Sequence, residues 1–320
     1  MSALGELERF PISVFSVVMG LGGFALALRA ADDHLGLPSA GMGLAVTVVT
    51  SVLFLALLGL YGLKGARYPS AVAAEWAHPA KISFFPTLSI SLILLSAAWL
   101  PHAPGLARAL IVAGSSLQLV LTVAVLSAWL YQTTFEVQHS NPAWFIPLVG
   151  NVLVPIAGVS QLSAETSWFF FSVGMVFWLL LFAILLNRLI FHSPLPEKLV
   201  PTFFIFIAPP AVGFIAYLGL TGGLDPFARV LYYTALFLTL LLLVQLPRFS
   251  RVVFGLSWWA YSFPLAAVTV ASALMHAHTG LPLFRLVALG LLALLTVLVA
   301  VLVVRTAAAT RRHGLALEQP

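Results

Sequence analysis

"SWWAYSFPLAAV", Ser257 to Val268, lies inside a hydrophobic run from about residue 252 to 275. Such a run exceeds the roughly 20 apolar residues that carry a helix across a bilayer core. Pro264 has no backbone N–H, so the carbonyl of Ala260, four residues earlier, loses its helical donor. In lipid a freed carbonyl is tolerated only where protein or water satisfies it. Phe263 stands directly before the proline, and Trp258, Trp259 and Tyr261 crowd ahead of it. This stretch therefore faces something other than lipid.

The whole chain has the same character. Of its 320 residues 61% are hydrophobic and 8% charged, against about 25% charged in a soluble domain. This is the composition of an integral membrane protein. Ten runs reach membrane-crossing length: about 11–31, 41–63, 82–101, 105–131, 142–162, 166–191, 199–221, 226–246, 252–275 and 282–304. The connections are short, so residues 1–320 read as one transmembrane domain with tails of about 1–10 and 305–320. The first run is not read as a cleaved signal peptide, although "ALALRAA" offers small residues near its end. The preceding "MSALGELER" carries two glutamates against one arginine, a poor match to a signal sequence.

Lysine and arginine set the expected orientation. With the N-terminus inside, Arg9, Lys64, Arg67, Lys81, Arg188, Lys198, Arg248, Arg251, Arg305, Arg311 and Arg312 fall on the cytoplasmic side, and Arg29, Arg108, Arg229 and Arg285 outside. Both termini are then cytoplasmic in a cell inner membrane. The net charge of +5 follows from this loop bias and implies no nucleic-acid partner.

The odd-numbered runs share an opening. They read "FPISVFSVVMGLGG", "FFPTLSIS", "WFIPLVGNVLVP", "FFIFIAPPAVG" and "WWAYSFPLAAV": aromatics leading into proline, then small or hydroxylated residues. Pro11, Pro86, Pro147, Pro209 and Pro264 are spaced by 75, 61, 62 and 55 residues. In the even runs Pro104, Pro226 and Pro282 sit at helix entrances, where proline costs little. A two-helix unit restores chain direction, so five such hairpins are parallel repeats about an axis along the membrane normal. The expected fold class is all-α integral membrane, with ten transmembrane helices as five parallel helical-hairpin repeats around a central pore. Broken odd helices form the inner ring, and smooth even helices such as "LYYTALFLTLLLLVQL" form the outer one. Gly20, Gly22, Pro86, Ser89, Pro147, Asn151, Pro210 and Pro264 are the expected pore-lining positions, with Pro209 equally available beside Pro210.

Chemistry is excluded more readily than assigned. No Asp, Glu, Lys, Arg or His falls mid-run, which argues against a proton-coupled pump. With no cysteine, phosphate loop or metal-ligand cluster, neither an enzyme, a metal site nor a cofactor is expected. The interior polar groups are mild: Ser13, Ser16, Ser89, Ser91, Asn151, Ser262 and Thr269. Each could be a helix-packing hydrogen bonder. A conduit lined by hydroxyls, backbone and aromatic edges also lets an ion pass without holding it. Acidic rings for cations are missing, and aromatic edges are electropositive, so a small anion fits best.

"EWAHPAKISFFP" (Glu75 to Pro86), "NPAWFIPLVGNVLVPIAG" (Asn141 to Gly158), "FIAPPAVGFIAYL" (Phe206 to Leu218) and "WWAYSFPLAAV" (Trp258 to Val268) resemble the tellurite-resistance/dicarboxylate transporter family. That family takes in bacterial TehA-type proteins, fungal malate and sulfite transporters and plant slow-type anion channels. The resemblance covers essentially the whole chain and is most specific at "WAYSFP" and "NPAWFIP". It implies a homotrimer with a pore through each protomer, an inner ring of kinked helices, and a phenylalanine plug at the position of Phe263. Helical spacing places Ala260, Ala266, Ala267 and Val270 near the face of Phe263, so one large ring stands over small side chains. By pattern alone Phe263 could equally be a packing aromatic. The expected function is a passive channel or uniporter for small inorganic or organic anions. The alternative is a coupled carrier or exporter of C4-dicarboxylate, sulfite or tellurite.

Overall fold

The computed structural model describes residues 3–38, 41–132, 135–249 and 251–314. Positions 1–2 and 315–320 of the two tails, with Glu318, lie outside the described residues. Among the described residues nine helices are long and apolar enough to cross a membrane. In chain order with one shorter segment they are α1 (Ile12–Leu35), α2 (Met42–Arg67), α3 (Ile82–Trp99), α4 (Pro104–Tyr131), α5 (Pro142–Gly158), α6 (Ala164–Phe191), α7 (Glu197–Thr221), α8 (Pro226–Leu243), α9 (Leu256–Thr279) and α10 (Pro282–Arg312). The run 142–162, expected as the fifth of ten crossings, is the shorter α5, so nine and not ten helices reach crossing length among the described residues.

The odd segments close a ring. α1 packs on α3, α3 on α5, α5 on α7, α7 on α9, and α9 back on α1. Each even helix seats in the groove between its own hairpin partner and the next inner helix: α2 on α1 and α3, α4 on α3 and α5, α6 on α5 and α7, α8 on α7 and α9, α10 on α9 and α1. Burial follows this order. In α1, α3, α7 and α9 67–78% of the most apolar stretch is buried, against 22–39% in the even helices. The even helices turn large apolar side chains such as Val52, Val120, Leu179, Phe237 and Val297 outward, as lipid-facing helices do. Gly314 lies against Glu6, so the two described ends of the chain share one face, here called the terminal face.

The prolines break the helices differently from a mid-helix kink. α9 begins as a 3-10 helix over Leu256–Tyr261 and becomes α-helical at Ser262, which places Pro264 in the first α turn. α7 runs as a 3-10 helix from Glu197 to Ile207, then Pro209 and Pro210 open its α-helical part. α3 passes from 3-10 at Ile82–Phe84 through Pro86 into α-helix at Thr87. α5 alternates between the two forms from Pro142 to Gly158. Proline supplies no donor for an i−4 bond, so the preceding chain tightens to i−3 bonding. The ring then falls where no helical donor is required.

Hydroxyls and amides complete these junctions. The side chains of Thr87, Ser89, Asn151, Thr202 and Ser262 each donate to the carbonyl three residues back, those of Phe84, Pro86, Leu148, Leu199 and Trp259, at 2.5–2.8 Å. Thr87, Ser89 and Asn151 follow the proline of their opening, whereas Thr202 and Ser262 precede theirs. Two of these carbonyls, of Pro86 and Trp259, also accept a backbone N–H, so the side chains add a second bond at the junction.

Gly20 brings α1 and α9 into contact. A Cβ there would overlap Ser262 Oγ and come within 2.7 Å of the Trp259 ring. We expect Gly20→Val to destabilise the protein by about 1–3 kcal/mol through overpacking. The check is the thermal midpoint in detergent, and an unchanged midpoint contradicts this packing.

One buried charge pair corrects the expectation for Lys64. It lies on the last turns of α2, not in a loop, and is 1% exposed. Its Nζ is 3.0 Å from Glu75 Oε2 and donates to the carbonyl of Phe10 at 2.8 Å. Tyr61 Oη donates to the same Glu75 oxygen at 2.8 Å. Glu75 belongs to a short helix, Pro69–Ala77, which this network ties to the start of α1.

Candidate functional site

A cavity of about 210 Å³ lies on the axis of the ring. All five inner helices line it: Gly23 and Leu26 from α1, Leu94 and Ala97 from α3, Leu153 and Ile156 from α5, Val212 and Ile215 from α7, and Phe263, Ala266, Ala267, Val270 and Leu274 from α9. At its deep end Phe263 faces Gly23, where an added Cβ would stand 3.0 Å from the ring and 3.1 Å from Ala266 Cβ. The glycine is what lets α1 pass the ring. Toward the other end the wall is completed by Leu100, Arg29, Ala30, Asp33 and His34. These residues, with Leu274, stand near the C-terminal ends of α1, α3 and α9, so the cavity runs from Phe263 toward the face opposite the chain ends.

The residues expected from the sequence divide into two groups. Phe263, Ala266, Ala267 and Val270 meet on this wall, with Ala260 absent from it. Gly20 and Gly22 stand instead at helix contacts, against Trp259 and Leu94 respectively. Ser89 Oγ donates to Gln118 Oε1 at 2.6 Å, besides the Pro86 carbonyl. Asn151 donates to Thr122 Oγ1 at 2.9 Å and to Leu148. The Pro147 carbonyl accepts from Gln118 and Thr122 at 3.0 and 2.7 Å. Pro86, Pro210 and Pro264 are buried and shape the inner helices without reaching this cavity.

Gln118 and Thr122, both on α4, thus hold α3 and α5 together from behind. Sequence reasoning missed them because it sought polar groups only in the odd, proline-broken runs, and these stand in an even one. It also missed Arg29, which was counted only as a charge on the far side. Arg29 Nη1 donates to the Ala97 carbonyl at 3.0 Å, and its Nε donates to Asp33 Oδ2 at 3.3 Å.

The ionisable groups of this wall, Arg29, Asp33 and His34, gather at its open end. Its deep part carries Gly, Ala, Leu, Ile, Val and one Phe, and among the described residues no cluster of His, Asp or Glu could hold a metal ion. The arrangement is a multi-pass membrane protein with an axial cavity walled by five broken helices. Residues 9–307 match the SLAC1 family, voltage-dependent anion channels, and the chain belongs to that family. It is 31% identical over 273 residues to the S-type anion channel SLAH3 of Arabidopsis thaliana, covering 83% of this chain and 43% of that one. It is 29% identical to the guard cell S-type anion channel SLAC1 of the same plant, covering 94% of this chain and 56% of that one. It is 28% identical to the tellurite resistance protein TehA homolog of Haemophilus influenzae, covering 90% of each. The chain spans about half the length of the plant channels it matches.

Proposed function

We propose that the chain is a passive anion channel of the cell inner membrane, conducting through each protomer of a homotrimer, with Phe263 as the gate. The observation that carries this reading is the position of Phe263. One aromatic ring stands at the deep end of a cavity lined there by Gly, Ala and aliphatic side chains, on the axis of the ring of helices. A hydrophobic constriction of this kind stops ions by excluding their water, and it opens when the ring turns aside. The S-type channel relatives support an anion as the conducted species. Pro86, Pro147, Pro210 and Pro264 stand just after 3-10 segments, where the inner helices change to α form, and this change of helix type supports the placing of Phe263 on the axis.

Uncoupled current is the discriminating property. Reconstituted protein should pass voltage-driven current in a planar bilayer, with a reversal potential that follows the chloride, nitrate or malate gradient. Isotope uptake that requires a proton gradient would favour the coupled carrier of dicarboxylate or sulfite. A carrier for a dianion needs several cationic ligands within the membrane, and the cavity wall carries a single Lys or Arg, Arg29, at its open end.

The terminal face is assigned to the cytoplasm by its Lys and Arg excess. Because the chain has no native cysteine, single cysteines report sidedness cleanly. Positions next to Arg251 should label only from the cytoplasm, and positions next to Asp225 only from outside. External labelling beside Arg251 overturns the orientation.

A further inference from the structure

We infer that Arg29, at the outer end of the axial cavity, is an anion-docking site whose strength is set by Asp33. Small monovalent inorganic anions are the ligand class, and the role as first stop for a permeating ion rests on the channel reading above. The cavity wall is apolar on four of its five helices; its charged groups, Arg29, Asp33 and the neighbouring His34, all come from the last turns of α1. A cation at the open end of an apolar cavity focuses field into it and raises the local anion concentration.

The guanidinium is fixed and yet still available. Its bond to the Ala97 carbonyl at 3.0 Å anchors it to α3, so it does not swing with solvent. A guanidinium has five N–H donors, and the described acceptors are that carbonyl and one oxygen of Asp33. The side chain is 40% exposed and that of Asp33 is 51% exposed, so both reach the water of the mouth.

Asp33 is a weak competitor. It sits four residues along the same helix at 3.3 Å, a long contact for a charged pair, and exposed pairs of this kind contribute little to stability. An arriving anion can take over the open donors while the carboxylate turns to water. His34 lies beside the pair, with the charges of Arg29, Asp33 and His278 reaching it. On this geometry Asp33 lowers the affinity of the mouth so that an ion can also leave, the condition for conduction.

A purely structural Arg29, tying α1 to α3, would leave anion affinity indifferent to Asp33. The experiment is chloride binding to the purified full chain in detergent, read from 35Cl NMR line broadening. Arg29→Gln removes the charge but ends two bonds short of the Nη1 that reaches the Ala97 carbonyl, whereas Asp33→Asn is nearly isosteric and leaves that bond in place, so a purely structural Arg29 would not answer to it. We expect Asp33→Asn to tighten chloride about threefold or more, and Arg29→Gln to remove the saturable component. Matching titrations for both variants and the wild type would overturn the site. The same two changes in a Phe263→Ala background add current saturation as a second readout. A binding shift without any Phe263→Ala current would leave the docking site standing and count against the channel reading alone.

Discussion

Phe263→Ala is expected to raise anion conductance on the order of tenfold or more, which corresponds to lowering a permeation barrier by roughly 1.4 kcal/mol or more. The expectation comes from where the ring sits. Across the axis it faces Gly23, which has no side chain to refill the space that alanine leaves. The ring is only partly buried, because one side faces the cavity. A fully buried phenylalanine truncated to alanine costs about 3–5 kcal/mol, and a ring with one open side should cost less. The variant should therefore purify in the same assembly as wild type. A packing role predicts the reverse: a large loss of stability with no gain in current. Single-channel recording beside size-exclusion chromatography separates the two, and a normal assembly with wild-type conductance would remove Phe263 from the gate.

Lys64→Met is expected to be the most destabilising single change, costing about 3–5 kcal/mol because it leaves the Glu75 carboxylate buried without a counter-charge. Glu75 would keep the hydroxyl of Tyr61, which one hydrogen bond makes insufficient. The Phe10 carbonyl would also lose its donor, loosening the start of α1. Pairing Lys64→Met with Glu75→Gln removes both charges, and replacing a whole buried pair by uncharged groups is often close to neutral. The double variant should therefore recover most of the lost thermal midpoint. A Lys64→Met protein that melts with wild type, or a double variant worse than the single, would contradict the buried pair.

The architecture was legible because it rests on a repeated physical need. In several inner helices a 3-10 segment gives way to α-helix beside a proline and a hydroxyl or amide. That pattern stands in the sequence at Pro86 with Thr87 and Ser89, at Pro147 with Asn151, and at Pro264 with Ser262. Hairpin order then follows from short connections. Phe263 lies on the cavity wall, but a plug role there is what the family resemblance implies, and pattern alone leaves a packing aromatic equally open.

Facing was not legible where a helix is apolar all round. In "GLGG" on α1, Gly20, Gly22 and Gly23 point in directions about 100° apart per residue, and only tertiary contacts distinguish them. Gly23 proved to be the one opposite Phe263, while Gly20 and Gly22 are packing sites for α9 and α3. Charge was misleading for a related reason. A lysine at the end of a hydrophobic run is normally solvated, so nothing in the sequence marks Lys64 as buried until Glu75 folds back against it. Arg29 was counted with the far-side charges, yet α1 turns it onto the cavity wall, where it joins the anion path proposed above.

The central claim is that anions travel along the axis of the helix ring, through the cavity between Arg29 and Phe263. It is tested most directly with one cysteine at Val270, on that wall, in the Phe263→Ala background. A small negatively charged thiol reagent applied from the face opposite the chain ends should block the current as it modifies the residue, with the same time course. Complete modification, verified by mass spectrometry, together with undiminished current would place the anion path elsewhere.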